Sequence, residues 1–78
     1  MPTLAFELFV TGRTRQSLAA IRNLRAYFAE FPGLDYELTI IDVLEQPERA
    51  EESRILATPT LVRLLPLPSL RIIGDLSE

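Results

Sequence analysis

A chain of 78 residues, 47% hydrophobic and 24% charged, is a single globular domain rather than a disordered segment. It has no Cys and no His, which excludes a disulfide framework, a thiol nucleophile, a CxxC redox pair and a His/Cys metal site. All eight basic residues are Arg, so Schiff-base chemistry is excluded too, and a net charge of −3 argues against a broad basic face for nucleic acid.

Fourteen leucines are a heavy apolar load for so small a domain. A core near this size buries only about 60% of the unfolded surface. Part of the load is therefore expected to lie exposed, against a copy of the chain or another partner. The opening MPTLAFELFV has no basic n-region and only a brief apolar run. It reads as neither a signal peptide nor a membrane span, and a cytoplasmic protein is expected.

In chain order, Leu4 to Val10 alternates, with Leu4, Phe6, Leu8 and Val10 on one face, and predicts a strand. Thr11-Gly12 breaks it. From Thr14 the period changes: Leu18, Ile21, Leu24, Phe28 and Phe31 form an apolar helical stripe, which Phe31-Pro32-Gly33 ends. Tyr36 to Val43 is a second strand. Its nearly continuous apolar run predicts a central position, buried on both faces. A second helix follows in EQPERAEESR, with Pro47 at its first position and Glu48, Glu51 and Glu52 near its positive end. It is almost entirely polar: either a solvated helix or a surface that faces a partner. A third strand runs from Thr60 towards Leu65 and a fourth from Leu70 to Ile73. The PLPS between them is a turn or corner, because proline removes the donor a ladder needs. Asp75 and Ser77 are good helix N-cap residues with almost nothing after them to cap.

The order β-α-β-α-β-β, with Thr-Pro-Thr entering the third strand, resembles the thioredoxin fold, in which a cis-proline sits at that point. A cis X-Pro bond lies only about 0.5–1 kcal/mol above trans, so packing can select it, and the resemblance assigns that role to Pro59. Where a thioredoxin carries CxxC, this chain has TGRTRQS. The redox chemistry is missing although the fold is expected.

A narrower likeness lies in IDVL, the AEE…ILATPTL block, LPLP and RIIGDLS. These resemble the KaiB family of circadian clock proteins over nearly the whole chain, read here as one domain, residues 1–78. TGRTRQS departs from the family, and Glu45 stands where its members often carry a lysine. The resemblance implies a non-catalytic regulator without cofactor or metal that exists in two folds. One is a ground state that self-associates, typically as tetramers. The other is thioredoxin-like; it binds the ring ATPase KaiC, captures the activator KaiA and displaces a competing histidine kinase.

The KaiC contact is expected to involve the second helix block, at Ala50, Glu51, Glu52 and Arg54. Arg54 could make bidentate pairs with partner carboxylates or could complement the C-terminal end of its own helix. If the segment around ILATPTLVRLLPLP is to be read two ways, Pro59, Pro66 and Pro68 keep it from committing to one uninterrupted hairpin. Their cis/trans isomerisation, on a scale of tens to hundreds of seconds, would slow a switch. The plainer reading makes Pro66 and Pro68 a rigid corner. Gly74 is either a strand terminator or a hinge. The family's segment beyond GDLS, a third helix in the thioredoxin-like form, has no counterpart, so an uncovered sheet face is expected.

Two other classes fit less of the pattern. A glutathione-transferase N-domain shares the fold and would use a hydroxyl near the first helix, here Thr14 or Ser17. The thioredoxin-like sensor domain of a clock-associated histidine kinase is the other.

Overall fold

The computed structural model describes residues 3–77 and contains β1 (Leu4–Val10), α1 (Arg15–Ala29), β2 (Tyr36–Asp42), α2 (Pro47–Glu52), β3 (Thr60–Leu65) and β4 (Leu70–Ile73). The four strands form one sheet in the order β2-β1-β3-β4. β1 runs parallel to β2, while β3 is antiparallel to both β1 and β4. This is a mixed α/β, thioredoxin-like arrangement, as the order of elements predicts.

Strand alternation divides the apolar residues between two faces. Leu8, Val10 and Leu61 form one cluster with Ala20, Leu24 and Phe28 of α1. On the opposite face Phe9, Ile41 and Val62 form a second cluster, closed by Val43 and by Ile55 just beyond α2. Register links the clusters, since Leu8 pairs with Ile40 and Leu61 while Phe9 pairs with Ile41 and Thr60. Aromatic rings close the far end of the α1 side, where Phe28 stacks on Tyr36 at 3.9 Å and packs at a tilt against Phe6 at 5.3 Å.

Three expectations need correction. β2 is an edge strand, not a central one. Its apolar run feeds both clusters, but it pairs only with β1, which is the strand flanked on both sides. The buried stripe of α1 is Ser17, Ala20, Leu24 and Phe28; Leu18 and Phe31 are exposed. Counting large apolar residues alone passed over Ser17 and Ala20, whose small side chains let the helix approach the sheet. The helix also stops at Ala29, two residues before Phe31.

The third correction concerns the prolines. Thr58–Pro59 is a cis peptide as expected, and so are Leu65–Pro66 and Leu67–Pro68. They do not prevent a hairpin: β3 and β4 pair from Thr60↔Ile73 to Arg63↔Leu70. Their effect is to confine it, since the ladder ends where the LPLP corner begins. Gly74 ends β4 at φ +125°, a backbone that side-chain-bearing residues rarely adopt, and its N–H donates to the Pro59 carbonyl at 3.0 Å. Leu76 then returns against the α1 cluster, and Asn23 Nδ2 holds the Asp75 carbonyl at 2.8 Å.

Candidate functional site

α2 buries no side chain of its own, yet it is tied down from three sides. Pro47 starts it with a fixed φ and no wasted donor. On its inner side the Arg49 guanidinium forms an ion pair with Glu7 of β1, and Glu7 is largely sheltered there.

The end of α2 is a Schellman motif. The Arg54 N–H donates to the Glu51 carbonyl at 3.0 Å and the Ile55 N–H to the Ala50 carbonyl at 2.9 Å. Such a motif needs a left-handed residue after the cap, and Arg54 supplies it at φ 53°. Glycine is the usual choice there because it has no Cβ. Ile55 then turns inward onto Phe9, Ile41 and Val62.

The third tie comes from β4. Arg71 donates from Nη2 to the Ser53 carbonyl and from Nη1 to the Arg54 carbonyl, the latter at 3.0 Å. One guanidinium thus spans two carbonyls left free at the helix end, where positive charge is also favoured. Nothing in the sequence marks Arg71 for this role, since RIIG reads simply as strand and the carbonyls it meets lie 17 and 18 residues earlier.

Ala50, Glu51, Glu52 and Arg54 therefore lie on one anchored segment. Ala50 is half-buried, while Glu51, Glu52 and Arg54 are exposed. Arg54 falls outside the helix, so its part there is to supply the turn, and its side chain is not among the groups that bond the helix's last carbonyls. Beside it Leu56 is 95% exposed, the most exposed of the large apolar residues described. A shallow depression of about 230 Å³ runs between Ala50, Ile55, Leu56, Thr58 and Thr11. Leu56 is the residue that the sequence reading missed; its place between a polar helix and a cis-proline was the available signal.

The expected switch residues lie elsewhere. Pro59 is buried at the entry to β3, Pro66 and Pro68 sit in the exposed corner, and Gly74 joins β4 to the tail. At the position of a thioredoxin's thiols the Thr11 and Thr58 hydroxyls are hydrogen-bonded to each other. Asp42 organises the same loop end, accepting from the Gly12 N–H at 3.0 Å and the Leu44 N–H at 2.9 Å. The hydroxyls needed by a glutathione-transferase-like site are otherwise engaged. Thr14 caps α1, accepting from the Ser17 N–H, and Ser17 is fully buried, accepting from the Thr11 N–H at 2.9 Å. Among the described residues no group of three or more His, Cys, Asp or Glu could hold a metal, and no helix is long and apolar enough to cross a membrane.

Comparison with known proteins agrees with this geometry. The model of the KaiB domain matches residues 7–78. The circadian clock oscillator protein KaiB of Prochlorococcus marinus is 52% identical over 77 residues, covering 97% of this chain and 72% of that protein. Its namesake in Synechococcus elongatus is 51% identical, covering 97% and 74%. Among solved structures, the N-terminal domain of Synechococcus elongatus SasA superposes with a TM-score of 0.82 at 26% identity, over 96% of this chain and 71% of that one. Mitochondrial thioredoxin 3 of Saccharomyces cerevisiae does so at 0.76 and 23%, over 92% and 67%, which shows the shared fold alone. The fold is thus common to clock sensors and thioredoxins, whereas the twofold higher identity lies with the oscillator proteins. The chain belongs to the KaiB family.

Proposed function

We propose that this protein is a non-catalytic clock regulator that docks in its thioredoxin-like form on a KaiC-type ring ATPase and modulates its phosphorylation cycle. The docking surface is the segment from Ala50 to Leu56, with Glu51, Glu52 and Arg54 as the polar contacts and Leu56 as the apolar anchor. One observation carries this reading: α2 buries none of its side chains but is held by an ion pair, a Schellman cap and a guanidinium clamp. Fixing a helix costs conformational entropy, and burial of α2 itself returns little. A rigid surface that loses little further entropy on binding is the gain.

Capture of a KaiA-type activator, competition with a sensor kinase and interchange with a second, self-associating fold belong to the same reading. They rest on family membership and on the prolines and Gly74 that bound the β3–β4 hairpin. Titrating the protein against a KaiC-type ATPase tests the core of the proposal. Wild type is expected to bind, and Leu56→Asp, which alters an exposed side chain, is expected to bind at least tenfold more weakly with its fold unchanged. Equal affinity of the two proteins would remove the Ala50–Leu56 segment from the interface.

A further inference from the structure

We propose that the thioredoxin-like form pairs with a second copy of itself along the free edge of β4, making one continuous eight-stranded sheet across a two-fold axis. β4 is the last strand on its side, and its outer backbone groups have no strand partner among the described residues. Exposed edges of this kind are usually blunted by charge, proline or a covering element. Here Leu70, Ile72 and Ile73 are 52%, 55% and 66% exposed. The strand's one charged side chain, Arg71, is turned back onto the Ser53 and Arg54 carbonyls.

Backbone alternation fixes which groups point outward. The Gly74 N–H bonds to the Pro59 carbonyl, and the ladder continues through Leu61↔Ile72 and Arg63↔Leu70. Gly74, Ile72 and Leu70 therefore turn their N–H and C=O groups towards β3, and Arg71 and Ile73 turn theirs to the free edge. A two-fold axis through Ile72 sets Arg71 opposite the second copy's Ile73 and Ile73 opposite its Arg71. That register satisfies all the outward donors and acceptors of both strands. A shift of the axis to Arg71 or Ile73 would satisfy only half of them, and the former would also set two arginines face to face. In the favoured register no like charges meet, and Ile72 packs against Ile72 in the closely spaced, non-hydrogen-bonded position.

The partner is a second copy because the edge is complementary to itself in hydrogen bonding and in charge. Four residues bury less than the roughly 800 Å² per partner of a standard interface, so a weak, concentration-dependent dimer results. The α2 surface lies on another element, and either proposal can fail without the other.

Sedimentation equilibrium of the full chain across a dilution series, with amide exchange read at each concentration, tests the dimer. The expected result is a monomer–dimer equilibrium in which the Arg71 and Ile73 amides exchange more slowly as concentration rises, while Leu70 and Ile72, already bonded to β3, do not change. Ile73→Pro removes an outward donor only and is expected to be monomeric with an unchanged circular dichroism spectrum. If that variant does not fold, Ile72→Lys, which sets two ammonium groups across the axis, takes its place with the same expectation. A wild-type monomer at every concentration overturns the proposal. So does a dimer that leaves the Arg71 and Ile73 amides unprotected, or one that survives in the folded variant.

Discussion

Arg54 sits in a left-handed conformation that costs a side-chain-bearing residue about 1–2 kcal/mol. Arg54→Gly is expected to stabilise the protein by about 0.5–1 kcal/mol, because part of the relief is lost to the greater freedom of glycine in the unfolded chain. The same change removes a proposed partner contact, so urea denaturation should show a gain where an ATPase titration shows a loss. Arg71→Met keeps the length of the side chain but deletes both donors to the Ser53 and Arg54 carbonyls. A stability loss of about 1 kcal/mol is expected, since both carbonyls can fall back on water. At this scale the sequence was readable wherever a residue acts through its own backbone, as Pro47, Pro59 and Gly74 do. Arg71 was not readable, because its partners are brought beside it only by the fold, and a strand residue looks the same with or without them.

Among the elements, the β3–β4 hairpin and its exit show why pattern alone reached so far. Alternation gave the strands and proline gave the corner, and both are local properties. The position of β2 is not local. Its apolar run is that of a central strand, but which strand has two neighbours depends on where β3 returns. Small residues on α1 were overlooked for a related reason: Ser17 and Ala20 matter because they are small and close to the sheet, a contact that periodicity of large apolar residues does not count. Gly74→Ala tests the exit from the hairpin. No neighbour lies within 4 Å of an added Cβ, so the cost falls on φ +125° alone. A loss of about 1–2 kcal/mol is expected in thermal unfolding, equivalent to roughly 4–16 °C in a domain of this size. A variant as stable as wild type would show that this backbone is not required.

The molecule as a whole is a thioredoxin-like sheet from which the sulfur chemistry has been removed and replaced by hydroxyls bonded to each other. Its apolar surplus, expected from the leucine count, surfaces in separate places: Leu56 beside α2, Leu67 in the corner and the outer edge of β4. That distribution suits a protein whose work is contact. Composition foretold the surplus but not its location, since location depends on which faces the two helices leave open. The most direct test is an amide NMR titration with a KaiC-type ring ATPase. Docking through α2 predicts selective broadening from Ala50 to Leu56, with the Gly74 amide still protected by its bond to Pro59. A spectrum unchanged by the ATPase, or broadening confined to β2, would contradict it.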